Sequence, residues 1–386
     1  MNKPGLPRMA ILGGGPIGLE AALYAKQAGC SVTLFEQGQI AESVNRWGFA
    51  RMFTPFGLNR TTLGKQILRD DRSAPNLPAD TEYLTGREYR DAYMLPLAAG
   101  VLKDSIRCPA AVLSIGRAGW RKTDRTDPKK PLPPFRLLIR EANNVDRFES
   151  ADVILDCTGT YNRPNWVGDG GIPAAGEIAA RPQLPYWLED VRTAKKANYS
   201  GKSTILIGSG YSAATTMCGL AELAEENQST WAIWLTHGVR TQPLLRLAND
   251  PHKERDRLAG RANQLATRCD GNLEYHPQTQ IDELVCHGPD KGFRVAGRIA
   301  GKPMSWEVEK VIANVGYRAD VNLTAELRVN EPHGDFRTDE PGFYILGAKS
   351  HGRSSEFLLK QGHDQIRQVF GLILNQHRLD LYAKAA

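Results

Sequence analysis

The chain has 386 residues, of which 41% are hydrophobic, 24% charged and 8% aromatic. That length accommodates two or three domains with a core in each, and the composition excludes disordered, fibrous and coiled-coil chains. The net charge of +6 is interleaved rather than blocked, so anionic cofactors explain it as well as nucleic acid does, and no apolar run approaches the ~20 residues that span a bilayer.

Residues 1–8 form a short, Pro-containing segment that leads directly into an apolar run, leaving no room for a signal peptide and predicting a soluble, cytoplasmic chain. Residues 9–12 predict a strand and the Gly-rich run from Gly13 to Gly18 a turn. A helix then carries Leu19, Ala22, Leu23 and Ala25 on one side, and residues 31–36 form a second strand ending in Glu36. This is a βαβ unit. An aromatic stretch follows at 45–59, where Pro55 argues against a regular helix and for a binding loop. Residues 111–115, 135–139 and the polar stretch to Phe148 predict a β-meander, with a loop at 122–134. Residues 152–156 predict a buried strand leading to Gly159.

The plan then recurs. Residues 203–207 predict a strand, Gly208 to Ala213 a turn, 211–225 a helix and 231–235 a second strand. A charged stretch with His252, Lys253, Arg255 and Arg257 reads as a surface helix. Residues 280–286, 292–299 and 304–311 predict a second meander, and 311–314 a buried strand leading to Gly316. The chain closes with a strand at 343–346, Gly347, and an amphipathic helix from about Ser355 to Asn375. The whole predicts an α/β fold with two Rossmann-like dinucleotide-binding domains, each with an added β-meander.

The chemistry of the first motif follows from its glycines. Gly13 permits the tight turn, Gly15 lets backbone approach a pyrophosphate and Gly18 allows close helix–strand packing, while Pro16 and Ile17 open a helix whose free N–H groups face the phosphates. Glu36, with Gln37 beside it, stands where a carboxylate accepts hydrogen bonds from a ribose diol. In the second motif Gly208, Gly210, Tyr211, Ser212 and Ala213 repeat the pattern, with Ala as the small third residue. The strand after it ends in His237 and Arg240 rather than a carboxylate, and Arg240 suits the 2′-phosphate of NADPH. The six cysteines form no C-x-x-C pair, and there is no Ser-His-Asp spacing, metal-ligand cluster or P-loop lysine.

Taken in order, these motifs resemble the flavoproteins that carry one FAD and one NAD(P) domain, a class containing flavin-containing monooxygenases, N-hydroxylating monooxygenases and pyridine nucleotide-disulfide reductases. The resemblance implies FAD on residues 1–165 and 321–386, and NADPH on 190–320. It adds Val112 (to the adenine), Thr158 and Gly159 at a strand end, and Gly347 and Ala348 at the late turn. Trp47, with Phe49, Phe53 and Phe56, is expected to roof the flavin, and Asn59 to stand near its reacting edge as the catalytic candidate; ordinary loop packing is the alternative. Three departures matter. The redox cysteine pair of the disulfide reductases is absent, the F-x-G-x-x-x-H signature of flavin-containing and Baeyer–Villiger monooxygenases is absent, and Lys349 stands where the class commonly has Asp. The implied activity is a monooxygenase using molecular oxygen through a flavin peroxide on a small-molecule substrate. An NAD(P)H-dependent reductase and a non-catalytic nucleotide-binding sensor are the alternatives, and whether a second copy of the chain pairs with the first is left open.

Overall fold

The computed structural model describes residues 5–71, 74–124 and 131–384; residues 1–4 of the N-terminal segment and 125–130 of the predicted 122–134 loop lie outside them. The chain forms two compact units, one from Met1–Arg163 with Arg318–Ala386, the other from Pro164–Tyr317. In chain order the first leg carries β1 (Arg8–Leu12), helix α1 (Pro16–Gln27), β2 (Ser31–Phe35), β3 (Ile106–Arg107), β4 (Ala110–Arg117), β5 (Phe135–Glu141), β6 (Asp146–Ala151) and β7 (Val153–Asp156). The second unit carries β8 (Ser203–Ile207), β9 (Trp231–Leu235), β10 (Leu273–His276), β11 (Thr279–Cys286), β12 (Phe293–Ile299), β13 (Lys302–Val308) and β14 (Lys310–Ala313). The return leg carries β15 (Phe343–Ile345).

In the first unit a five-stranded parallel sheet runs in the order β15-β7-β1-β2-β3. β1 and β7 have neighbours on both edges and helices or meander over their faces, so both read as unbroken apolar runs instead of alternating ones. Helix α1 was expected to bury one side; every residue from Ile17 to Ala25 is buried, because the sheet, the Leu359–Ile373 helix and the 56–102 segment enclose it. β4-β5-β6 form the antiparallel meander, whose central strand alternates buried Phe135, Leu137 and Ile139 with outward Arg136 and Arg140.

The second unit repeats the layout with a parallel sheet β10-β9-β8-β14, a helix at Tyr211–Glu226, the charged helix at Lys253–Arg268 and the meander β11-β12-β13. The strands predicted at 304–311 and 311–314 are both present, at Lys302–Val308 and Lys310–Ala313, with the boundary earlier than predicted. At Glu309 the chain turns, its carboxylate accepting from the Ser203 N–H (2.9 Å) and Lys202 Nζ (2.7 Å), which delivers β14 alongside β8. Residues 164–189 pack in this unit around Glu177, whose buried carboxylate accepts from the Val167 and Ala174 N–H groups and the Tyr186 hydroxyl.

Two helix expectations are corrected. The last helix starts at Leu359, not Ser355, where Gln361 turns its side-chain oxygen back to the Leu358 N–H at 2.6 Å. Pro55 does not exclude helix: it caps the short Phe56–Asn59 turn, as a residue without an N–H can. Between 60 and 105, where the sequence predicts no element, the chain holds a helix at Thr62–Asp70, N-capped by the Thr61 hydroxyl, and a helical run from Gly86 to Ala99 interrupted by a π-helical turn at Arg90–Met94.

Candidate functional site

Register brings the chemistry-bearing residues of the first unit to one level. Leu12 lies opposite both Phe35 and Asp156, and Asp156 opposite Ile345, so the residues that follow these strand ends share one rim of the sheet. That rim is where open α/β sheets take their ligands. Gly13 turns there at φ +98°, its N–H on the Phe35 carbonyl at 2.8 Å, and a Cβ would stand 2.7 Å from the Cys157 carbonyl oxygen. A Cβ on Gly18 would overlap the Gly13 carbonyl oxygen, whereas one on Gly15 would meet nothing within 4 Å. Gly13 and Gly18 are therefore required by the protein itself. Gly15 is not; it keeps open space in front of α1, whose first turn has no side-chain cap and starts at Pro16. Open space before uncapped N–H groups fits a dinucleotide pyrophosphate.

Glu36 is fixed by the turn: its carboxylate accepts from the Gly14 N–H at 2.7 Å and the Gly38 N–H at 2.8 Å, with exposed Gln37 between. Val112 is half-buried, at a bulge in the β4–β5 register. On the far side of the rim, Gly347 turns at φ +74° against Ile17, and its N–H donates to Gln365 Oε1 at 2.8 Å; Ala348 follows in the same short helical turn. Thr158 is exposed and Gly159 adopts φ +66°.

The second unit reproduces this geometry. The Gly208 N–H meets the Leu235 carbonyl at 3.0 Å, a Cβ on Gly208 would overlap the Asn314 carbonyl oxygen, and a Cβ on Gly210 would meet nothing within 4 Å. Gly210 caps the helix that begins with Tyr211 and Ser212, and Ala213 is fully buried at the place of Gly18. His237 is exposed, 3.7 Å from Asp169. Arg240 is exposed and makes no ion pair among the described residues, while the Tyr275 hydroxyl holds its carbonyl at 2.7 Å. Arg246 is committed to Asp256 at 2.7 Å.

Asn59 is buried, at 2% exposure. Its side chain is buried within its own loop, donating to the Thr54 carbonyl at 2.9 Å and accepting from the Thr54 hydroxyl, and its carbonyl takes the Tyr89 hydroxyl at 2.8 Å. These bonds occupy the amide as a loop staple. The expected aromatic roof also divides. Phe56 is fully buried edge-on to Tyr93, whereas Trp47, Phe49 and Phe53 are half-buried, Trp47 lying so close to Gly86 that a Cβ there would overlap its ring.

Two clusters escaped the sequence reading. Glu20, inside α1, accepts from the hydroxyls of Tyr93 and Thr61 (2.9 Å for Thr61), and burial pushes its carboxyl up to about 7 against those hydrogen bonds. The signal was available: an acid embedded in an otherwise apolar helical run. The second is Lys349, 1% exposed, whose ammonium donates to Asp156 at 2.6 Å and to the Thr158 hydroxyl at 3.1 Å. All six cysteines are free, and burial raises the thiols of Cys30, Cys108, Cys157 and Cys218. Among the described residues no His, Cys, Asp and Glu group is placed to hold a metal, and no helix is long and apolar enough to cross a membrane.

The family described as pyridine nucleotide-disulphide oxidoreductase matches residues 10–115, which run from β1 into β4. No curated protein matches the sequence. Among solved structures the chain is similar to the bacillithiol disulfide reductase Bdr of Bacillus cereus, at 15% identity and a TM-score of 0.69 over 96% of this chain and 99% of that one. It is similar to DfoA, the cadaverine monooxygenase of Erwinia amylovora solved with FAD, at 14% and 0.68 over 97% of each chain. It is also similar to the ornithine hydroxylase PvdA of Pseudomonas aeruginosa, at 16% and 0.65 over 96% and 99%. At these identities the likeness is one of fold: two Rossmann-like units in one chain, the architecture of the two-dinucleotide-domain flavoproteins.

Proposed function

We propose that this chain is an FAD-dependent oxidoreductase reduced by NADPH, and that it acts as a monooxygenase on a small molecule. The observation that carries the reading is the duplicated cradle, in which Gly15 and Gly210 keep open space before two helix N-termini that have no side-chain cap, while Gly13, Gly18 and Gly208 are consumed by packing. In this reading the first unit holds FAD through Gly13–Gly18, Glu36 and the Gly347–Ala348 turn. The second holds NADPH through Gly208–Ala213, with Arg240 on the 2′-phosphate. Bound FAD supplies a hydride acceptor and, once reduced, reactivity toward oxygen; the protein supplies binding, orientation and exclusion of water. Trp47 and Phe53 stand as half-buried walls for the ring system, and Asn59 holds the loop that presents them.

Oxygenation is favoured over thiol chemistry by the cysteines. They form no C-x-x-C pair, and the thiols of the buried Cys30, Cys157 and Cys218 are raised by burial, the opposite of the electropositive settings that make reactive thiolates. The neighbouring amine hydroxylases suggest a first substrate panel of diamines and basic amino acids. The test is NADPH-driven oxygen uptake by the purified yellow protein, with the hydroxylated amine and hydrogen peroxide both quantified. Product formed in proportion to oxygen consumed supports the monooxygenase. Rapid NADPH oxidation under argon, sustained by a quinone or disulfide and leaving no oxygenated product in air, identifies a reductase instead.

A further inference from the structure

Where β7 ends and the turn after β15 begins, the first unit buries a charge pair that the motif reading did not anticipate. Ile345 lies opposite Asp156 in the parallel β15–β7 ladder, so Asp156 and the Gly347–His351 turn face one another across neighbouring strand ends. Asp156 is fully buried and Lys349 is 1% exposed. The Lys349 ammonium donates to Asp156 Oδ2 at 2.6 Å and to Thr158 Oγ1 at 3.1 Å. Asp156 Oδ1 in turn accepts from the Thr158 hydroxyl at 2.6 Å and from the Thr158 N–H at 3.1 Å. Thr158 is thereby fixed in both main chain and side chain, and its hydroxyl is used as donor and as acceptor.

The turn that carries Lys349 is held from the other side as well. Gln365 accepts from the Gly347 N–H at 2.8 Å and donates to the Ser350 hydroxyl at 2.8 Å, which donates to the Gly347 carbonyl at 2.8 Å. A buried lysine with one carboxylate and one hydroxyl is therefore the tie between this braced turn and the Thr158–Gly159 strand end. A pair of this kind is weak evidence for stability, because desolvation offsets the attraction, and it calls for a role in specifying local geometry.

We propose that Lys349 is a positioning residue for the FAD site. By neutralising Asp156 and bonding Thr158 it sets the spacing between the β7 strand end and the Gly347–Ala348 turn, the two rim segments that receive the dinucleotide opposite Gly13–Gly18. This rests on the proposed FAD occupancy of the first unit. It predicts that the carboxylate at the β7 strand end is consumed internally, so that this segment meets FAD with backbone and the Gly347 turn rather than with a free acid.

The test separates positioning from mere stability by using near-isosteric neutral variants of the full chain: Lys349→Met, Asp156→Asn and the double variant. FAD affinity is read by quenching of flavin fluorescence on addition to FAD-depleted protein, and Tm is read without FAD. Each single variant leaves one buried charge or donor without its partner and lowers Tm. The double variant removes both charges and recovers most of the lost Tm. The expected result is that FAD affinity nevertheless stays at least 10-fold below wild type in the double variant. Recovery of both Tm and affinity would overturn the proposal and leave the pair a structural feature. Wild-type protein that quenches no FAD would instead remove the FAD reading itself, a failure visible before any variant is made.

Discussion

Glu20 and His363 both sit inside the first unit, and both titrate away from their ordinary ranges because burial disfavours the charged form. Glu20 rises to about 7, despite hydrogen bonds from Tyr93 and Thr61 and the charge of Arg60. His363, on the Leu359–Ile373 helix, falls to about 4 through burial, with Asp364 opposing and Lys360 and Arg367 adding to the fall. The native state thus binds a proton at Glu20 that the unfolded chain releases above pH 4.5, so this contribution is full below pH 4.5 and is lost as pH rises to 7. For His363 the sign reverses: its contribution is full above pH 6.5 and is lost as pH falls to 4. Each is worth about 3 kcal/mol by linkage, and over their shared window they oppose one another. Glu20→Gln should therefore gain stability over wild type progressively from pH 4.5 to 7, a Tm difference that grows with pH and then levels. A constant offset across that range in thermal melts would show that Glu20 does not titrate there. Glu20 was readable as an anomaly in an apolar helix, but its partner Tyr93 lies 73 positions away, and no periodicity rule links the two.

Among the elements, the glycine turn before α1 separates what folding needs from what a ligand needs. Gly18→Ala drives a methyl into the Gly13 carbonyl and should cost about 1–3 kcal/mol or more, as overpacked sites do. Gly15→Ala places its methyl in open space at an ordinary φ of −80° and should cost less than about 1 kcal/mol. Its effect belongs instead to the cofactor: Gly15→Ala should melt like wild type when both are stripped of FAD, yet come out of purification with FAD largely lost. Bound FAD at wild-type occupancy would mean that the pyrophosphate does not approach there. Gly18 answers a local steric demand, the Gly13 carbonyl just before it in the chain, whereas Gly13 and Gly208 clear the distant Cys157 and Asn314 carbonyls and were legible only through the spacing of the motif. The 60–105 segment was not: only the Thr62–Asp70 helix has an apolar face, through Leu63, Ile67 and Leu68, and the remaining helices are single turns held by bonds to Glu20 and Asn59.

At the scale of the whole chain, one cradle occurs twice and the two copies should fail separately. Gly210→Ala should keep FAD in the first unit while raising the KM for NADPH more than 10-fold, because its methyl meets the approaching phosphates and not the protein. Arg240→Ala should raise the KM for NADPH and spare that for NADH, since only the former carries the 2′-phosphate; equal effects in initial-rate assays would remove Arg240 from that contact. The amino-acid sequence by itself determined the two βαβ units, their meanders and the turn glycines. The units and meanders follow from strand periodicity and from residues close in the chain, and the glycines from the spacing of the dinucleotide motif. Only the tertiary structure decided that Asn59 staples its own loop, that Glu20 is buried on Tyr93, and that Lys349 closes on Asp156 across 193 positions. Burial, and the partner a polar group finds once water is removed, depend on which distant segments pack around it, and that is fixed only when the sheets and their crossing helices have formed.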